Sequence, residues 1–181
     1  MPYNPFFEQR ATEAASYVLS KFGGRMNYMK LIKLLYLADR KAFENWERPI
    51  TYDTYSSLPR GPVLSSTLDL VKSKCIDSDY WDYFIEKKGM DIELKESAIF
   101  KKLSPVDLEI IDSILSEFGH LSQFDLAEIT EKLPEWKNPG ASSFPIELHD
   151  LLEKLNYSSD DIERIILDIK EKYTLDLVFS K

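Results

Sequence analysis

The segment Tyr28–Trp46, YMKLIKLLYLADRKAFENW, restricts the fold of this chain more than any other. Wound at about 3.6 residues per turn, it places Tyr28, Leu31, Ile32, Leu34, Leu35, Leu37, Ala38, Phe43 and Trp46 over more than half of a helix circumference. A helix with so little polar surface is the central, most buried element of whatever surrounds it. Asn27 can cap it, because its side-chain oxygen can accept from an otherwise unpaired N–H of the first turn. The rest of the chain must therefore pack around this helix. At 181 residues it has the material to bury about 70% of its unfolded surface. Hydrophobic residues at 44% and charged residues at 30% agree with a packed core.

The flanking patterns predict an α+β fold, predominantly α-helical, built as a single compact domain over 1–181 with a small antiparallel β-hairpin or sheet. A first helix follows Pro5, with Ala11, Ala14, Ala15, Val18, Leu19 and Phe22 at helical spacing, and ends at Gly23 and Gly24. Residues 49–56, PITYDTYS, favour extended structure. Gly61 followed by Pro62 predicts a third helix start, with Val63, Leu64, Thr67, Leu68, Val71 and Cys75 on one face. Trp81, Tyr83 and Ile85, then Met90, Ile92 and Leu94 beyond Gly89, alternate as a β-hairpin turning at KKG. Ser104 with Pro105 and Asp107 opens a helix carrying Leu108, Ile111, Ile114, Leu115 and Phe118; Ser122 with Asp125 opens a shorter one. After a loop over 134–145, two amphipathic helices near 145–156 and 159–176 close the chain and pack on the rest.

The net charge of −8 and a sequence pI of about 4.9 repel phosphate backbones and anionic membranes, so nucleic acid is disfavoured as a partner. One cysteine, no basic-then-apolar leader pattern and no apolar run near the roughly 18 residues that span a bilayer predict a cytoplasmic protein without disulfides. Cys75 lies on the apolar spacing of its helix, where an inert thiol is the ordinary outcome, and His120 and His149 share no metal-ligand spacing. No phosphate-binding glycine loop or nucleophile elbow is present. The expectation is no enzyme, no cofactor and no metal. Residues 105–132 form a helix–turn–helix pattern, but the second helix carries Asp125, Glu128 and Glu131 against Lys132, which a phosphate backbone would repel.

Two features invite a role. Asp39 lies on or near the apolar stripe of the central helix, where it either pairs with Arg60 or sits at the stripe's edge in water. Lys30, Lys33, Arg40 and Lys41 share one side of the same helix, either as a solvated face or as a docking surface for an acidic partner. The stretch SSLPRGPVLSS, residues 56–66, sets Arg60 between two prolines and beside Gly61. Its stiffness would present Tyr55 and Arg60 at low ordering cost, and Trp136 belongs to the same class of interface residues. Tyr55, Arg60, Trp136, Lys30 and Lys33 are the candidate partner-binding residues. The competing reading makes Trp136 a core filler and Arg60 the counterion of Asp39.

The order of MNYMKLIKLLYLADR, then RGPV at 60–63, then ITEKLPEWKNP at 129–139 resembles the Panacea domain family, also known as the SocA-like, phage-associated group. The likeness runs over roughly residues 11–140. The family's K-L-x-K-L-L-Y pattern falls on Lys30, Leu31, Lys33, Leu34, Leu35 and Tyr36, its G-P-V on Gly61, Pro62 and Val63, and its tryptophan loop on Pro134 and Trp136. Asp39 and Thr130 complete the motif positions, although Thr130 is followed by Glu131 where many members have histidine. The resemblance implies an antitoxin of a bacterial or phage pair that binds and neutralises a cognate toxin encoded nearby. One branch is described as an adaptor that delivers its toxin to a protease. A regulator that reads the DNA of its own operon through residues 105–132 is the alternative from a different class.

Overall fold

The computed structural model describes residues 7–74 and 78–179. Its elements, in chain order, are α1 (Glu8–Lys21), β1 (Arg25–Asn27), α2 (Tyr28–Trp46), β2 (Tyr55–Leu58), β3 (Gly61–Leu64), α3 (Ser65–Val71) and α4 (Asp79–Phe84). They continue as β4 (Ile85–Lys88), β5 (Asp91–Leu94), α5 (Pro105–Phe118), α6 (Gln123–Thr130), β6 (Phe144–Ile146), α7 (Leu148–Lys154) and α8 (Ser159–Phe179). The fold is α+β and mostly helical, as the sequence predicts.

Helix α2 is the hub. Asn27 Oδ1 accepts from the Met29 and Lys30 amides at 3.0 and 3.3 Å, and the helix stops where Glu47 turns into the left-handed region at φ 54°. It packs against α1, α5, α6 and β3, and its residues Leu31, Ile32, Leu34, Leu35, Tyr36, Ala38, Ala42 and Phe43 are all buried. Capping boxes begin α5 at Ser104 and Asp107 and α6 at Ser122 and Asp125, each satisfying amides that a helix start leaves unpaired. Asp107 is also buried between Arg10 of α1 and Arg48 of the segment after α2, at 3.0 and 2.8 Å, which ties those elements to the start of α5. Helices α7 and α8 contribute Leu151, Leu152, Ile162, Ile165 and Ile169 to the same core, and Tyr157 donates to the Phe43 carbonyl at 2.6 Å.

The strands differ from the sequence reading in three places. Gly61–Leu64 is a strand, with Pro62 opposite Ser57 and Val63 opposite Ser56, so the third helix starts only at Ser65. Gly61 at φ 97° cannot belong to a helix, and the helix start is instead fixed by Asp53, whose carboxylate accepts the Ser66 and Thr67 amides at 2.8 Å each. Trp81 and Tyr83 lie on α4, not on a strand; the hairpin spans only Ile85 to Leu94, turning at Gly89. Finally, β1 and β6 were invisible as three-residue segments. The first adds to β5 and the second to β2, so the small sheet is two sheets, ordered β1-β5-β4 and β3-β2-β6. Cys75 lies outside the described residues.

Candidate functional site

The β2–β3 hairpin stands at the junction of α2, α6 and the loop after α6, and buried polar groups fasten it there. Asp39 on α2 is fully buried. Its carboxylate accepts from the amides of Ile50 and Thr51, from the Thr51 hydroxyl and, at 2.8 Å, from the Tyr55 hydroxyl on β2. Neither sequence reading of Asp39 survives. Hydrogen-bond donors from the incoming chain satisfy the carboxylate, and Arg60 is far more exposed and faces Glu131 instead. Burial raises the Asp39 carboxyl above the usual carboxylate range, and the four donors oppose that rise.

Six residues earlier on α2, Lys33 is 1% exposed and donates to the Pro62 carbonyl at 2.8 Å. Pro62 has no N–H to offer an adjoining strand, and its carbonyl is occupied, so this edge of the sheet is closed. Gly61 fits between the two helices because it lacks a side chain: a Cβ there would come within 2.5 Å of Thr130 Oγ1 and 2.7 Å of Lys33 Nζ. Thr130 is itself buried, with its hydroxyl donated to the Leu126 and Ala127 carbonyls. Desolvation brings the Lys33 amine down to about 7, which Glu131 counters and Arg60 reinforces.

The same surface gains a third support from the loop after α6. Tyr36 of α2 stacks edge-on against Tyr55 at 5.6 Å and donates to Glu135 Oε1 at 2.9 Å; Arg40 donates to the same oxygen at 2.8 Å. Trp136 then lies half-buried across the hairpin, donating its indole N–H to the Leu58 carbonyl at 2.9 Å, while the Lys137 amide meets Ser57 Oγ. At the tip, Arg60 is exposed and its nearest carboxylate oxygen, on Glu131, is 3.9 Å away.

The structure therefore sorts the candidate residues. Arg60 and Trp136 come together at the hairpin end, with Gly61, Pro62, Val63 and Thr130 beneath them. Tyr55 and Lys33 belong to the same assembly from within: both are buried, so they support the surface and do not present it. Lys30 lies apart, with its amine donated to the Gly119 carbonyl at 2.7 Å and set over the Phe22 ring. Arg40 and Lys41 are engaged by Glu135 and Glu44. Three cations of the α2 stripe hold neighbouring segments, Lys30 the α5–α6 turn, Lys33 the hairpin and Arg40 the loop after α6, while Lys41 pairs with Glu44 on the same helix. Sequence reasoning missed Glu135, because a glutamate between Pro134 and a tryptophan carries no mark that tells a buried acceptor from a solvated one.

His120 in the α5–α6 turn and His149 on α7 are both exposed, and among the described residues no group of His, Cys, Asp and Glu could hold a metal ion. The exposed face of α6 carries Phe124, Asp125 and Glu128, so a phosphate backbone approaching it meets carboxylates first. No helix of the described residues is long and apolar enough to cross a membrane.

A family model described as antitoxin SocA-like, Panacea domain, matches residues 31–137, more than half of the chain. No curated protein and no solved structure matches. The matched span contains Lys33, Tyr36, Gly61, Pro62, Thr130 and Trp136, the residues that meet at the hairpin.

Proposed function

Because this chain belongs to the SocA-like antitoxin family that carries the Panacea domain, we propose that it is the antitoxin of a bacterial or phage pair and neutralises its toxin by direct protein–protein binding in the cytoplasm. The observation that carries this reading is the convergence of α2, the β2–β3 hairpin and the loop after α6 on one end of the molecule, with Arg60 and Trp136 at its surface. The hairpin is fixed from below by Lys33 and Asp39, so little conformational freedom is lost when a partner closes on it. Arginine and tryptophan are the residue types most often found to dominate interface energetics. Delivery of the toxin to a protease would begin with the same complex. The acidic exposed face of α6 disfavours operon regulation through residues 105–132.

In this reading the whole chain acts as one domain, without a catalytic step of its own. Co-expression with the open reading frame beside this gene tests the proposal. Rescue of growth together with co-purification at moderate salt is the expected result. A neighbour that is toxic alone and is neither rescued nor bound would refute it.

A further inference from the structure

We infer that the hairpin end is a docking site for an acidic segment of the partner protein, a carboxylate of which pairs with Arg60 beside the exposed part of Trp136. This rests on the direct-binding reading and adds the chemistry of the contact. The molecule as a whole carries −8, yet at this end the balance is reversed. Arg60, Lys132 and Lys137 are exposed, and the Lys33 amine lies beneath them. Glu131 is the carboxylate that faces both Arg60 and Lys33.

The comparison with other surface cations shows what is missing here. Arg25 holds Asp91 and Glu93 at 2.9 and 2.7 Å, and Arg164 holds Glu47 at 2.8 Å. Arg60 reaches its one carboxylate only at 3.9 Å, and among the described residues Lys132 and Lys137 form no ion pair. A guanidinium presents several N–H donors in a fixed fork suited to a carboxylate, and at Arg60 that fork is open to solvent. Glu135, the other nearby carboxylate, is buried, and its Oε1 accepts from both Tyr36 and Arg40 while its Oε2 has no hydrogen-bond partner among the described residues.

The occupant is an acidic protein segment and not a nucleic acid, because the net charge of −8 repels a long run of phosphates, whereas a peptide can engage the tip alone. A peptide needs only one or two carboxylates at the tip and can place an apolar side chain on Trp136. Strand addition is not the mode, since Pro62 and Lys33 close the near edge of the sheet, and Pro145 sits in the middle of the far strand.

The test uses the full chain and defined probes. Hexaglutamate, hexalysine and a six-nucleotide thymidine oligomer are titrated while the Trp136 indole N–H and Arg60 Nε–H signals are followed by NMR. Saturable shifts with hexaglutamate alone are expected, with apparent affinity at least fivefold weaker in Arg60→Ala, read at Trp136. Absence of these shifts, equal shifts with hexalysine, or stronger binding of the oligonucleotide would overturn the inference. The two readings fail separately: a toxin bound equally well by wild type and Arg60→Glu removes the docking site and leaves direct binding intact. A site that takes hexaglutamate in a protein that binds no toxin removes direct binding alone.

Discussion

The two three-stranded sheets of this molecule are built alike and held differently. Each is antiparallel, and each contains a hairpin with a glycine at positive φ, Gly61 just after the turn in one and Gly89 within the turn in the other. The β1-β5-β4 sheet buries Met26, Ile85 and Ile92 on one side and otherwise relies on surface ion pairs, Arg25 with Asp91 and Glu93, and Lys88 with Glu86 and Glu93. The β3-β2-β6 sheet is tied to α2 through buried polar groups, with Asp39 on Tyr55 and Lys33 on Pro62. A hairpin held by surface pairs can flex without leaving a charge stranded. One held by buried groups cannot move without breaking bonds that water does not replace. The second arrangement suits a surface that must meet a partner in one shape.

That contrast can be broken at graded points. Asp39→Ala would have the largest effect, because it leaves the donors of Ile50, Thr51 and Tyr55 buried without an acceptor. A loss of about 3 kcal/mol or more in denaturant unfolding is expected, at about 1 to 3 kcal/mol for each donor left unsatisfied, and a loss below about 1 kcal/mol would show that the carboxylate is not the tie described. Gly61→Ala comes next. It combines backbone strain at φ 97° with collision against Thr130 and Lys33, whereas Gly89→Ala meets open space. The expected losses are about 3 kcal/mol and about 1 kcal/mol respectively, and equal losses would deny the difference between the two turns.

Lys33→Met probes the same hairpin through pH. The amine is near 7 in the folded chain against its ordinary value of 10.5, so between those values the unfolded chain binds more protons. Wild-type stability should therefore rise, relative to Lys33→Met, as pH increases from about 7 to about 10.5, and parallel curves would show that Lys33 is not desolvated as described. The smallest effect belongs to Arg25→Ala, whose exposed pairs are screened by salt. Its change should shrink further in 1 M salt, which the Asp39 change should not.

The comparison also marks what could be read in the sequence. The central helix, its Asn27 cap and the capped starts of α5 and α6 were legible, because periodicity and capping are local signals. Asp39 was recognisable as anomalous, but its partners lie 11 to 16 residues away, and two of the four donors are backbone amides, which no side-chain pattern reveals. Gly61-Pro62 reads as a helix start when taken locally; only the tertiary fit between Lys33 and Thr130 makes it a strand. For the same reason the lysines of α2 look like a surface, since burial of Lys33 depends on a carbonyl contributed by a hairpin 29 residues away. Four of the residues on which the family resemblance rests, Lys33, Gly61, Pro62 and Thr130, meet one another in the fold although they are far apart in the chain.

The most direct test is the affinity of the proposed partner, the product of the neighbouring open reading frame, for wild type, Arg60→Glu and Arg25→Glu, measured by calorimetry on proteins of equal thermal stability. Both arginines are exposed, but only one lies on the β2–β3 hairpin. Weakening by tenfold or more at Arg60 with no change at Arg25 is the predicted result. Equal affinities for all three proteins would contradict the assignment of partner binding to the hairpin end.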